Sequence, residues 1–277
     1  MAVKKNLVKE EQFEQEFPAP NSVPDVLEEE DNTFTFLAGY TDKEGITHKT
    51  FTLREPNGKD EEAMQRDLRT NPSKAITTLL ARICTSIGSL TRESVGGMQN
   101  WEKIIKDLYI GDSDYMIYCA RLVSFGEDSA IKVRHQCPEC KAKLDTEVPL
   151  NEIGISEFKG SFEIPFTLPK GYKDRDGVIH REGILRLPKC LDREILYPII
   201  KKNNTGKLNT LMLTRLCKFN DGYRVDDDVM GHLVIRDRQY LDELLEQNMF
   251  GIKTEVEVEC PECGNYFTVN LNLINFI

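Results

Sequence analysis

Cys137-Pro138-Glu139-Cys140 returns as Cys260-Pro261-Glu262-Cys263, and each copy lies between two short alternating stretches. Ile131 to His135 leads into the first copy and Leu144 to Leu150 leads out; Glu255 to Val258 and Phe267 to Leu273 flank the second. Period-two alternation over such lengths reads as strand, so each cysteine pair is the tip of a hairpin. A two-residue gap lets a tight turn aim two sulfurs at one ion. A structural Zn²⁺ takes four tetrahedral ligands, and each tip supplies two. The expected closure is therefore one structural zinc held by Cys137, Cys140, Cys260 and Cys263 in a shared Cys₄ ribbon, although the pairs are much further apart than within an ordinary ribbon. The alternatives are a redox pair, which normally heads a helix, and plain buried thiols; strands flank both pairs here. His135 has Val258 as its counterpart and reads as a strand residue.

Upstream of each tip the same landmarks recur in the same order. Phe34 to Tyr40, the turn Asp42-Lys43-Glu44-Gly45 and Ile46-Thr47-His48 match Phe162 to Leu168, Asp174-Arg175-Asp176-Gly177 and Val178-Ile179-His180. Both read as hairpins whose glycine supplies the positive φ of the turn. Leu53-Arg54, Pro56, Asp60 and Glu62 match Leu185-Arg186, Pro188, Asp192 and Glu194, with each aspartate expected to be a helix N-cap. Arg82-Ile83-Cys84 matches Arg215-Leu216-Cys217 on segments of helical period, which makes Cys84 and Cys217 core thiols. Asp112 and Tyr115 match Asp237 and Tyr240, opening helices that stop at Phe125-Gly126 and Phe250-Gly251. The expected fold is α+β: internally duplicated hairpin-helix-helix-knuckle units, 32–155 and 156–277, joined by the zinc ribbon and preceded by an acidic flexible arm over 1–31.

Composition narrows the function. A chain of 277 residues with 40% hydrophobic side chains can build real cores, and a formal net charge of −10 opposes wholesale nucleic-acid binding. Most of that charge sits in the arm, where Lys4, Lys5 and Lys9 face nine acids from Glu10 to Asp31. No apolar run is long enough to span a bilayer, and no apolar stretch follows the first lysines as in a signal peptide. The cysteine usage points to a reducing, cytosolic compartment. Lys132 and Arg134 before the first tip and Glu255, Glu257 and Glu259 before the second are expected to face each other across the ribbon.

Catalytic machinery is not expected. Four cysteinates leave a zinc no open position for water. His48 and His180 sit far in sequence from the cysteines and read as surface or packing residues. Gly206-Lys207-Leu208 lacks the rest of a phosphate-binding loop, and the acids Asp112 with Asp114 and Asp226-Asp227-Asp228 read as a helix N-terminus and a solvated loop.

The order of these motifs resembles the T4-type baseplate proteins of contractile-tailed phages: Gly111-Asp112-Ser113-Asp114-Tyr115, Phe125-Gly126, the cysteine turn, Leu-Arg-x-Pro, then Phe250-Gly251 to Cys260-Pro261-Glu262-Cys263-Gly264. The resemblance covers roughly 33–277, with Lys141 standing where glycine is expected. It implies a non-enzymatic role in building or completing the baseplate hub. The partners it implies are other baseplate, hub or spike proteins, with self-association a further option, and no membrane or nucleic acid. The product would work in the host cytoplasm during assembly and then in the virion tail. The acidic arm could order on a neighbouring subunit. The competing reading is a zinc-ribbon nucleic-acid adaptor, for which Lys132, Arg134, Lys141 and Lys143 are favourable and Glu255, Glu257, Glu259 and Glu262 are not.

Overall fold

In the computed structural model the described residues are 32–201 and 204–276; the arm expected over 1–31 falls outside them. The first half opens with β1 (Asn32–Thr41) and β2 (Thr47–Leu53), an antiparallel hairpin. Helices α1 (Gly58–Leu68) and α2 (Pro72–Ile83) follow, separated at Asn71-Pro72, where the asparagine caps α2 and the proline takes its first position. The chain then adds β3 (Cys84–Ile87) and β4 (Leu90–Thr91) to a four-stranded sheet in the order β1-β2-β3-β4. Two more helices, α3 (Met98–Asp107) and α4 (Ile110–Phe125), lead to the first cysteine hairpin, β5 (Ala130–Gln136) and β6 (Lys143–Pro149).

The second half runs the same way. After β7 (Ile155–Ser156) come the hairpin β8 (Glu163–Lys173) and β9 (Ile179–Arg186), helices α5 (Cys190–Ile200) and α6 (Thr205–Leu216), and β10 (Cys217–Phe219) in a sheet β10-β9-β8. Helices α7 (Asp227–His232) and α8 (Ile235–Asn248) lead through β11 (Gly251–Ile252) to the second cysteine hairpin, β12 (Glu255–Glu259) and β13 (Tyr266–Asn270). The architecture is α+β as expected, but among the described residues each half has four α-helices rather than two, and its sheet extends beyond the hairpin, to four strands in the first half and three in the second.

The landmarks shared by the halves make the same contacts. Asp60 accepts from Arg54 at 2.7 Å and Arg82 at 2.8 Å, and Asp192 accepts from Arg186 at 2.7 Å and Arg215 at 2.8 Å. Each carboxylate also takes a backbone N–H three residues back, from Asn57 at 3.0 Å and Lys189 at 2.9 Å. The aspartates are thus third-position residues reaching back to the cap, not N-caps as expected. They are buried because they bridge two arginines that tie the hairpin to the end of the second helix.

Asp112 and Asp237 repeat a second contact. Both hairpins slip register, between Thr35 and Tyr40 and between Thr167 and Tyr172, and the bulge turns backbone amides inward. Asp112 accepts Leu37 and Ala38 N–H at 2.9 and 3.0 Å and Gly39 N–H at 3.1 Å; Asp237 accepts Lys170 and Gly171 N–H at 2.9 and 2.8 Å. The bulge needs left-handed backbone, which glycine supplies at φ 102° for Gly39 and 81° for Gly171. Asp112 is therefore a buried clamp on a strand. Burial pushes its carboxyl up to about 6, against the pull of the three amides.

Apart from the cysteine hairpins, the two halves meet through a directional joint. The start of α5 docks on the start of α4: Ile110 N–H donates to Pro188 O and Cys190 N–H to Leu108 O, both at 3.0 Å. Arg193 reaches Asp114 at 2.7 Å, Lys189 reaches Asp107 at 2.6 Å and Lys106 reaches Glu194 at 3.1 Å. Phe250 packs over Gly111, where an added Cβ would lie 2.5 Å from the Phe250 carbonyl oxygen. Tyr109 stacks on Phe162 with ring centroids 4.1 Å apart.

Candidate metal centre

The cysteine hairpins are short, two-stranded and regular. Ile131 pairs with Val148 and Val133 with Thr146 in one, and Val256 with Val269 and Val258 with Phe267 in the other. Their apolar faces, with Ile131, Val133, Val148 and Val269 buried, join the core of the first half; Leu271, Leu273 and Phe276 continue into that core. The expected shared core at the ribbon is thus present and merges with a larger one. The salt bridges of Lys132 and Arg134 run to Glu147 at 3.0 Å and Asp145 at 2.9 Å, inside their own hairpin, rather than across the ribbon to the glutamates. The register puts these partners directly opposite, a shorter reach than the other hairpin.

Each tip is a tight turn closed by backbone bonds. Cys137 N–H donates to Ala142 O at 2.9 Å and Lys141 N–H to Cys137 O at 3.1 Å; Cys260 N–H donates to Asn265 O at 2.9 Å and Gly264 N–H to Cys260 O at 2.8 Å. The residue after the last cysteine is left-handed in both, at φ 62° for Lys141 and 70° for Gly264. The tips therefore have one geometry, in spite of a lysine where glycine is the unstrained choice.

The four sulfurs converge. Cys137 Sγ lies 3.8 Å from Cys263 Sγ, Cys140 Sγ lies 3.6 Å from Cys260 Sγ, and all four ligand atoms fall within 4.8 Å of one another. Sulfurs about 2.3 Å from a tetrahedral ion are separated by about 3.8 Å, whereas a disulfide needs about 2.05 Å. The set fits a tetrahedral metal ion and not a pair of disulfides. Partial removal from water opposes charge on Cys137, but N–H groups of Cys140 and Glu139 and the neighbouring thiols outweigh it and bring that thiol down to about 7. Cys263 accepts a hydrogen bond from the Asn265 amide, yet loss of water and the surrounding sulfurs push it up to about 12. Four thiols this close cannot all ionise without a cation among them.

The remaining residues singled out in the sequence lie elsewhere. His135 Nε2 bonds Thr146 Oγ1 at 2.7 Å and its ring meets Phe267 edge-on, as a strand residue. His48 Nε2 lies 2.8 Å from Asp42, and buried His180 sits between Asp221 at 2.6 Å and Asp174 at 3.2 Å, locking the two hairpins. Asp226 caps α7, and Asp227 pairs with Lys207 at 2.9 Å. Cys84 and Cys217 are buried and their thiols are pushed up by that burial, Cys217 to about 12, as core thiols should be. A cleft of about 850 Å³ beside the first hairpin is lined by Tyr40, Asp42, Lys103 and Asp107, without a nucleophile and base in contact among the described residues. Reading the sequence missed the joint pairs Arg193–Asp114 and Lys189–Asp107, since neither partner stands at a recurring landmark.

Compared with known families, the chain matches a model described as T4 bacteriophage base plate protein over residues 41–181, just over half its length. The chain belongs to this phage base plate family. The matched stretch runs from the end of β1 into β9, so it includes Cys137 and Cys140 but not Cys260 and Cys263. No curated protein and no solved structure gives a match. No helix among the described residues is long and apolar enough to cross a membrane.

Proposed function

We propose that this chain is a non-enzymatic structural protein of a contractile phage tail, acting in the baseplate hub or in its assembly, with its halves held in one orientation by a single Zn²⁺. Membership in the base plate family supports the setting. The observation that carries the rest is the convergence of Cys137 and Cys140 from one half with Cys260 and Cys263 from the other. Zinc suits four thiolates at tetrahedral separations, and a site closed by four protein ligands fits a structural ion rather than a reactive one. The recurrence of Arg54–Asp60–Arg82 as Arg186–Asp192–Arg215 supports reading 32–155 and 156–277 as two copies of one unit. Neutralisation of Lys132 and Arg134 within their own hairpin weighs against a nucleic-acid track at the ribbon.

In the tail the protein would bind other baseplate or hub subunits through rigid surfaces, first in the infected cell and then in the virion. The test is to introduce a stop codon into its gene in the phage and view the lysate by electron microscopy. The expected result is tails without completed baseplates and a loss of infectious particles. Normal particles at an undiminished yield would overturn the proposal.

A further inference from the structure

The joint between the halves has a direction, and each half leaves one side of it unused. Within the chain the start of α5 docks on the start of α4. The start of α1 is the counterpart of the former, and the start of α8 is the counterpart of the latter. Both are exposed. Leu187, Pro188 and Cys190 are buried in the joint, while of their counterparts Glu55 and Gly58 are open to solvent and Pro56 is half-buried. Tyr109 and Ile110 are half-buried there, while Val234 and Ile235, which replace them, are 47% and 74% exposed.

The same correspondence holds further out. Phe250 is buried over Gly111, but Phe125, its counterpart, is 59% exposed, and Arg236 stands in the place of Gly111. A guanidinium plane is a good seat for an aromatic ring. At one position the charges are complementary, with an acid where the joint already made has a base. Inside the chain a base on α5, Arg193, meets Asp114 and Ser113 on α4. On the unused sides the position of Arg193 is Glu61, the position of Asp114 is the neutral Gln239, and the position of Ser113 is Arg238.

We propose that copies of this chain associate head to tail, the start of α1 and Phe125 of one copy docking on Val234, Ile235, Arg236 and Arg238 of the next. The proposal extends the equivalence of the halves put forward above. The occupant of the apolar face is a second copy because the chain already contains a working version of that joint, and the acid-for-base exchange keeps the two versions from mispairing. Such a contact is heterologous: each copy uses two different faces, so it closes into a ring or continues as a filament. Neither the metal nor the phage setting enters it, so a monomeric chain would leave the proposed function standing.

The test uses the full-length protein with light scattering after size exclusion and sedimentation velocity. Wild type should run as an integer multiple of the 31.7 kDa chain. Ile235→Asp, which places an acid in a helix's first turn and should not disturb folding, blocks one face; Glu61→Arg blocks the other. Each variant alone should give the monomer mass, with circular dichroism and melting unchanged. Mixed together they should form a one-to-one dimer and nothing larger, since each retains the face the other lacks. Combining Glu61→Arg with Arg238→Glu in one chain should restore the multiple. A monomeric wild type at 100 µM, roughly the upper range for a specific contact, overturns the proposal, as does an oligomer that survives both single variants.

Discussion

Replacing Cys140 and Cys263 together by serine takes one ligand from each hairpin tip and should remove the metal. Its effect on stability can be worked from the fold. Cys140 and Cys260 are 120 residues apart in sequence. A cross-link closing a loop of that length restricts the unfolded chain by about 5 kcal/mol on the chain-entropy model. For a folded region of this size about 1 kcal/mol corresponds to 2–4 °C, so the melting temperature should fall by about 10–20 °C. The loss should begin at the ribbon, because β5–β6 and β12–β13 are isolated two-stranded hairpins, which are marginal alone. Calorimetry on wild type, wild type with chelator and the double variant should give one shared lower transition for the last two. Metal analysis should give one zinc per wild-type chain and none in the variant. Hydrogen exchange should show amides of 130–149 and 255–270 losing protection before those of α2. A wild type without zinc, or a variant melting within 2 °C of it, roughly the effect of one weak contact, would refute the reasoning.

Three further outcomes follow from single side chains. Lys141→Gly removes a left-handed lysine at φ 62° and should stabilise the protein by about 0.5–1 kcal/mol in denaturant titration. Asp112→Asn keeps one oxygen for Leu37 and Ala38 but turns an NH₂ toward the Gly39 amide. It should cost about 1–3 kcal/mol, read by urea unfolding, and Asp237→Asn should do the same in the second half. His180 is disfavoured as a cation by burial, yet its bonds to Asp221 and Asp174 prevail and raise its pKa, while both aspartates are lowered. Its contribution is complete below the ordinary histidine pKa, near 6.5, and is lost as pH rises through the raised folded value; the aspartates' share is lost as pH falls below about 4. NMR titration of the His180 ring should show the raised midpoint, and His180→Gln should flatten the alkaline limb of stability against pH.

The cysteine hairpins were legible because their signal is local. Ile131 to His135 and Leu144 to Leu150 differ by one residue at either end from the strands found. The second exit strand ends earlier, at Asn270, because Leu271 and Leu273 leave the ribbon for the first half's core. Alternation announces burial but not the surface that supplies it. For Asp60 and Asp192 the right residues carried an incomplete role: an acid near a helix start looks like a cap, and only folding brings in Arg82 and Arg215 from 22 and 23 residues away. Helix α3 escaped notice because Trp101 and Ile105 are its only fully buried side chains and no recurring landmark lies on it. The joint was invisible for a deeper reason. Tyr109-Ile110 and Val234-Ile235 are similar apolar pairs, and burial of one with exposure of the other depends on a partner segment that no local pattern encodes.

The two connections between the halves obey different symmetries, and this fixes where the chain must bend. The sulfur pairs are reciprocal, first cysteine of one tip with second of the other on both sides, which is the pairing a pseudo-twofold axis between the two proposed copies would give. The joint between the bodies is one-way: α5 docks on α4, while α1 and α8 stay apart. One rigid rotation cannot generate both relations. The difference must be absorbed between body and hairpin, and the Phe-Gly segments are where the halves diverge. After α4, Phe125 is largely exposed, with the Arg121 guanidinium 4.7 Å from its ring centroid, and Gly126, at φ 78°, leads through three residues to β5. After α8, Phe250 turns in over Gly111 and Gly251, at φ 116°, starts β11, which pairs with β7 before β12 begins. Because both tips are used within one chain, further copies can be reached only through the bodies. A metal bound by the four cysteines would hold the orientation of the two bodies, while the directional faces at α1 and α8 are left for assembly.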